Sequence, residues 1–423
     1  MSFSPCRRPW LVAIPWLLAA AALLPLSTQV EHRLEVQARI LGSESAEVEE
    51  ALRVRFASPF AVSALCVLAG APSPETAEGR RLLEQAVAEL QKAPGVTRAF
   101  SFLDRPDPLL VGAGGQGGIV VLGLDPGGGR VDRLVPELRR VAHALEERFR
   151  PVAPGLSVRF TGEGPINYDL WRSSADDARL AERRTLPLTL ALLLLAFGAA
   201  AAAFVPVATG ALAVGLSLGL VALVAEHTPI SILAVNVTSM LGLALGIDYA
   251  LLTVSRFREA RAEGLGSLDA AEAAGRHAGA TVALSGVPVA IGFMALFNVP
   301  LNEMRSAALA GLVVTLVSVL LSLTLLPLLL GWLGPRVEAG RIFAPGARQG
   351  FYRRLAAAVV KRPALVLALT VPPLLLLAAE ARRLSPTIPR GRWLPAATES
   401  ARAERDLELM GRSGLLYSAR VLV

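Results

Sequence analysis

The chain has 423 residues, of which 53% are hydrophobic and only 18% charged, too apolar a balance for an average soluble domain. A net charge of +7 could suit nucleic acid, but the basic residues gather in short stretches between long apolar runs, the pattern of a membrane protein, so a nucleic-acid partner is set aside. The two cysteines, Cys6 and Cys66, fall on opposite sides of the first apolar run, which argues against an intramolecular disulfide and against redox or metal chemistry.

A bilayer core takes about 20 apolar residues per helix. Seven runs fit, at 10–26, 186–204, 207–225, 230–254, 280–297, 307–333 and 364–379. Arg7 and Arg8 precede the first run, Arg256, Arg258, Arg261 and Arg276 follow the fourth, and a basic stretch from Arg336 to Arg362 follows the sixth. This bias predicts a cytoplasmic N-terminus. The basic pair before the first run also fits a signal peptide, but no small-x-small cleavage site follows Leu26, so an uncleaved helix is expected.

Residues 30–184 are polar and alternate between two periodicities. Strands are expected at 61–69, 96–102, 119–124 and 156–160, and helices at 75–91 and 131–149. Two β-α-β units in series predict a ferredoxin-like, split βαβ domain outside the cytoplasm. The loop from Gly112 to Gly117 matches G-x-G-x-x-G, yet a strand rather than a helix is expected after it, so it is read as a flexible connection and not a dinucleotide site. A further helix at 164–183 should run directly into the second span.

The expected organisation is therefore a cytoplasmic N-terminus and first helix (1–29), an extracytoplasmic α+β domain (30–184), a five-helix bundle (185–334), a basic cytoplasmic loop (335–362), a seventh helix (363–380) and the opening of a second extracytoplasmic domain (381–423). An interfacial helix is expected at 351–360 within the basic loop. A weak internal repeat suggests the last part. Arg8-Pro9 resembles Arg362-Pro363, Glu44-Ser45-Ala46 matches Glu399-Ser400-Ala401, and Ser63-Ala64 matches Ser418-Ala419, in the same order. On that reading the chain holds one six-helix repeat and the start of another.

Within the spans, one acidic residue cannot easily reach the interface: Asp248. A charged carboxylate at the bilayer centre costs about 2.5 to 3.5 kcal/mol, and such residues are usually functional. Asp248 is expected to take up and release a proton, with the Tyr249 hydroxyl able to donate to a nearby carboxylate; the plainer alternative is a protonated Asp that only holds helices together. On a helical projection Asn236, Ser239, Gly242, Gly246, Tyr249 and Thr253 form a small and polar stripe, with Asp248 well off it, so this helix should be surrounded by protein. Gly242 and Gly246 form a G-x-x-x-G pair that would admit one close neighbour. Ser285 in the fifth span is a candidate partner for Asp248. Neither lysine, Lys92 or Lys361, follows a glycine, so there is no P-loop, and no hydrolase or zinc-protease motif is present; no enzyme activity and no cofactor are expected.

The segment from Gly242 to Glu259, GLALGIDYALLTVSRFRE, resembles the most recognisable part of the MMPL family of the RND transporter superfamily. Arg8-Pro9-Trp10, Ser285 with Ile291-Gly292-Phe293, and Thr324 to Pro327 carry the similarity further. The resemblance implies an N-terminal half or truncated member: an RND-like α-helical polytopic membrane protein with a porter-type α+β domain. It implies export of lipids or other hydrophobic molecules across the bacterial cytoplasmic membrane, driven by the proton-motive force, with Asp248 and Tyr249 as the proton relay. A second Asp-Tyr pair would belong to a second repeat, so a second repeat, a copy of the chain or a partner subunit is implied. The second to sixth spans also resemble a sterol-sensing domain, which implies a rival, lipid binding without net transport. A non-functional exporter fragment is a third reading.

Overall fold

A computed structural model describes residues 9–30, 34, 43–125, 131–341, 349–383 and 394–417. Cys6, Arg7, Arg8 and the matched pair Ser418-Ala419 lie outside the described residues, as do the side chains of Tyr352 and Arg353. In chain order the helices are α1 (Pro9–Ser27), α2 (Glu44–Glu50), α3 (Ala77–Gln91), α4 (Val135–Phe149), α5 (Glu163–Phe197), α6 (Ala200–Val224), α7 (Leu233–Ala262), α8 (Ser267–Leu296), α9 (Asn302–Leu320), α10 (Leu326–Leu333), α11 (Gln349–Lys361), α12 (Pro363–Ala381) and α13 (Glu399–Leu409). The strands are β1 (Ser63–Ala69), β2 (Val96–Phe100), β3 (Gly118–Leu124) and β4 (Ser157–Thr161).

The strands form one antiparallel sheet in the order β2-β3-β1-β4, and with α3 and α4 as crossovers the connectivity is the split βαβ arrangement expected from the two periodicities. Cys66, Leu68, Val120 and Leu122 face α3 and α4, whereas Leu65, Val67 and Ile119 face the other way. That second face is covered by α13, through Ala403 and Leu407. A central strand buried on both faces reads as a continuous apolar run, which is why Ala64 to Ala69 lacks the alternation of a half-buried strand. The loop 112–117 is tied down rather than free: Ala113 N–H donates to Met410 O at 2.7 Å and Gly117 N–H to Ala71 O at 2.9 Å. A strand follows it, so the dinucleotide reading fails on context.

Polar contacts fix α13 at its N-terminal end. The Thr398 hydroxyl accepts from Ala401 N–H, and Asp169 on α5 accepts from Ser400 N–H at 2.9 Å. Asp169 also receives Arg139 Nη2 at 2.8 Å, and Arg139 Nε lies 2.8 Å from the Glu399 carboxylate without an aligned hydrogen bond. Toward the other end, Arg159 on β4 pairs with Asp406. Two of the repeat matches fall on equivalent elements: α1 and α12 each begin at the matched proline, and α2 and α13 each begin at the matched glutamate behind a hydroxyl N-cap, Ser43 and Thr398.

Among the described residues six helices are long and apolar enough to cross a membrane: Pro9–Ser27, Ala200–Val224, Leu233–Ala262, Ser267–Leu296, Asn302–Glu338 and Pro363–Ala381. The expected second span differs. Helix α5 is one continuous helix of 35 residues, about 52 Å long, polar over most of its length and apolar only from Leu186. It ends at Gly198, whose φ of 67° is a left-handed conformation that glycine adopts without strain. The sequence reading put the gap between the second and third spans at residues 205–206; the structure moves it to Gly198-Ala199 and keeps Pro206 inside α6. The first N–H groups of α6 are satisfied by a distant turn, Ala200 by Gly340 O and Ala201 by Ala339 O, each at 3.2 Å.

Helices α6, α7, α8 and α9 form the bundle, with α1 laid along α6, where Gly215 and Gly219 admit Leu24 and Leu23. Between α9 and α10, residues Leu321–Leu325 make a π-helical turn, and Trp16 on α1 donates to Thr324 Oγ1 at 2.9 Å. No residue of α12 is buried. The segment expected as an interfacial helix lies within α11.

Burial, the largest influence on Glu399, pushes its carboxyl up despite the pull of Arg139. A carboxyl raised in the folded state gives docking of α13 that is strongest below the ordinary glutamate range and is lost as pH rises through the folded value. Hydrogen exchange in α13, corrected for intrinsic rate, should therefore be more protected at acidic than at neutral pH, and Glu399→Gln should remove that difference. Unchanged pH dependence in the variant would assign it elsewhere.

Candidate functional site

Helix α7 carries Asp248 near its middle, about 12 Å along the axis before Arg256. What surrounds it follows from two glycines. A Cβ on Gly246 would lie 2.5 Å from Gly210 Cα on α6, and one on Gly242 would lie 2.7 Å from Val214 on α6 and 2.9 Å from Val314 on α9. The sequence reading allowed these glycines one close neighbour; the structure gives Gly242 two. Backbones this near are possible only without side chains at the crossing.

The contact sets the rotation of α7. Gly242, Gly246, Tyr249 and Thr253 turn inward and are buried. Thr253 Oγ1 donates to Tyr249 O at 3.0 Å and lies 3.4 Å from Ser322 Oγ in the π-helical turn. Tyr249 is 7% exposed, its hydroxyl has no hydrogen-bond partner among the described residues, and it sits near Gly286 on α8. Asp248, one residue earlier, is about 100° away and faces out of the bundle. It is exposed and lines a groove of about 630 Å³ between α5 and α7 with Thr185, Leu186, Leu243, Ala244 and Ile247.

Two expectations change here. The small and polar stripe is not one face: Asn236 and Ser239 line the groove with Asp248, while its other members are packed against α6, α8 and α9. Among the described residues α7 is also not enclosed on every side, since Met240 is 75% exposed on the Asp248 face beside the α5 wall of the groove. Asp248 and Tyr249 are thus adjacent in sequence but address different spaces. Ser285 donates to Val282 O within its own helix at 3.0 Å, and the residue of α8 that comes near Tyr249 is Gly286.

One ionic site was not singled out by sequence. Arg258 binds Glu338 through two nitrogens, with Nη2 3.0 Å from Oε2, donates Nη1 to Phe197 O at 2.8 Å, and lies over the Phe197 ring. It joins the end of α7, the α5–α6 elbow and the turn after α10. Among the described residues no group of three or more potential metal ligands occurs.

The MMPL family model matches residues 42–366, which takes in the α/β domain, the bundle and the start of α12. A membrane protein of Streptomyces coelicolor is 32% identical over 93% of this chain and 55% of its own length. The heme uptake protein MmpL11 of Mycobacterium tuberculosis is 30% identical over 77% of this chain and 33% of its own. The trehalose monomycolate exporter MmpL3 of Mycolicibacterium smegmatis is 34% identical over 48% of this chain and 20% of its own. The chain thus spans about half the length of the first of these relatives and about a third of the second.

Gly246→Leu should force α6 and α7 apart and lower stability in detergent by about 1–3 kcal/mol, the cost of overpacking. Leu284→Ala, at an α8 residue that is 74% exposed, should stay within about 0.5 kcal/mol. Equal thermal midpoints for the two variants would mean that the crossing is not formed.

Proposed function

The chain belongs to the MMPL family, and from that premise we propose that it forms part of an exporter of lipids or other hydrophobic molecules, driven by the proton-motive force across the bacterial cytoplasmic membrane. The observation that carries this reading is a carboxylate, Asp248, set midway along an apolar helix and open to a groove. A group so placed is costly unless it is used or covered. Of the relatives, one is named for heme uptake and another for export of trehalose monomycolate, and the second supports the cargo class.

Protonation of Asp248 removes a charge from the groove and changes what can pack against α7. Tyr249 lies behind it in the bundle, so movement of α7 alters both spaces at once. The groove's other wall is α5, which continues without a break to the α/β domain, so a tilt of that helix is carried outward. The open Asp248 face is where a second repeat, a copy of the chain or a partner subunit would seat. In this scheme Asp248 and Tyr249 form the relay, and Ser285 is a supporting group one helix away.

In cells expressing the chain, Asp248→Asn should abolish efflux of a fluorescent lipid driven by the proton gradient while leaving membrane accumulation unchanged. Efflux at the wild-type rate would sink the relay, and lipid binding indifferent to the substitution, without efflux in either form, would favour the sterol-sensing-like reading.

The topology is tested separately. In a Cys6→Ser background, Glu75→Cys should react with a membrane-impermeant maleimide in intact spheroplasts, and Glu263→Cys only after permeabilisation. The reverse pattern would invert the chain.

A further inference from the structure

Within the bundle, helix α5 is anchored at one end. Of its apolar part, from Leu186 onward, Leu193 and Phe197 are buried, while Leu188, Leu192 and Leu195 are exposed. Farther out, at Thr185, Leu186 and Thr189, it forms the wall of the groove.

The buried end is held by groups from distant parts of the chain. A helix end leaves its last carbonyls without intrahelical partners, and that of Phe197, the final residue of α5, accepts from Arg258 Nη1 at 2.8 Å. The same guanidinium lies over the Phe197 ring, 5.6 Å from its centre, and its other two nitrogens grip Glu338. Arg341 Nη2 adds a bond to that carboxylate at 2.6 Å. On the α6 side of the elbow, the turn after Glu338 accepts the N–H groups of Ala200 and Ala201. The fit is close: Gly340 has a φ of 68°, and a Cβ there would lie 2.7 Å from Ala200 Cβ. Val337 is buried in the same cluster as Phe197 and Phe257.

Arg258 follows Asp248 on one unbroken helix, about 15 Å farther along the axis. A shift of α7 at the carboxylate is therefore delivered to the guanidinium, and through it to the end of α5. With that end held, the motion open to α5 is a swing about the elbow at Gly198. A swing of about 5° carries the far end of a helix about 52 Å long by about 4.5 Å.

We propose that Arg258 is a positioning residue, the fulcrum of α5: it pins the inner end of α5 to α7, so that displacement of α7 becomes a swing of α5 and of the α/β domain attached to it. The proposal rests on the exporter reading for the displacement of α7, while the pin belongs to the chain at rest. Side chains of this pair are 23% and 33% exposed, and an ion pair so open to solvent adds little stability, so its effect is on position. Arginine suits the task because one planar fork reaches a carboxylate and a carbonyl together while its face stacks on a ring; lysine offers a single point charge.

The test uses the full chain in lipid nanodiscs, in a Cys6→Ser background where the remaining cysteine, Cys66, is buried. Spin labels at Leu180→Cys on α5 and Leu284→Cys on α8, both exposed positions, report the swing, and labels at Met240→Cys and Leu284→Cys report the bundle itself. Leu180 lies about 27 Å from the elbow, so a swing of about 5° moves it by about 2.4 Å. Arg258→Lys and Glu338→Ala should each widen the first distance distribution by about that much and leave the second unchanged. In unlabelled chains, exchange of the amides at 199–204 should rise several-fold in the same variants, a readout that stands if a labelled variant does not fold.

A first distribution as narrow as wild type in Arg258→Lys, or unchanged amide exchange, would overturn the proposal. Equal widening of both pairs would also overturn it, since the clamp would then hold the bundle generally and not α5. No proton gradient or cargo is present, so these outcomes leave proton-driven export untouched, whereas wild-type efflux in Asp248→Asn would remove the relay and leave the pin.

Discussion

The near-contact of Gly246 with Gly210 is the constraint from which the rest of the bundle follows. Two helices that touch backbone to backbone cannot rotate about their axes without a clash, so the faces of α7 are assigned once this crossing is made. The helical angle then sends Tyr249 into the bundle and Asp248 out of it. Neither side chain chooses its surroundings; both are placed by residues that have no side chain at all. The cost is a carboxylate and an amide left on a face that hydrocarbon would not tolerate uncovered.

A different kind of constraint joins the bundle to the α/β domain. Helix α5 is a member of both, and Asp169 fastens it to α4 through Arg139 and to α13 through the Ser400 N–H. Buried charges of this sort add little net stability, because desolvation offsets their attraction, but removing one partner strands the others. Their effect is to fix position: α13 is held to the sheet in one register, by apolar contact through Leu407 and by charge at its N-terminal end.

Much of this was legible in the sequence because period and composition are local properties. The split βαβ order came from alternating two- and 3.6-residue patterns, and the spans from apolar length. Asp248 stood out because it breaks such a run. The break at Gly198 was missed because Gly198 lies within unbroken apolar sequence, whereas Pro206 looks like an interruption and is absorbed in a helix. The division of the polar stripe needed the packing partners of α7, which no projection of one helix supplies. Arg258 was read only as one of several cytoplasmic cations. Its role depends on Glu338 and the Phe197 carbonyl, distant in sequence, and the one hint was an acidic residue amid the basic stretch after the sixth run.

The capping of α6 by the turn at Ala339 and Gly340 has a consequence for biosynthesis. Ala200 and Ala201 emerge from the ribosome long before the turn that accepts their N–H groups, and Arg258 is made before its partner Glu338. Until the sixth run has been translated, the start of α6 must borrow water or lipid headgroups at the membrane surface for those bonds. The α5–α6 elbow is therefore completed after the helices it connects have been inserted, and the last-made turn of the bundle locks one of its earliest corners.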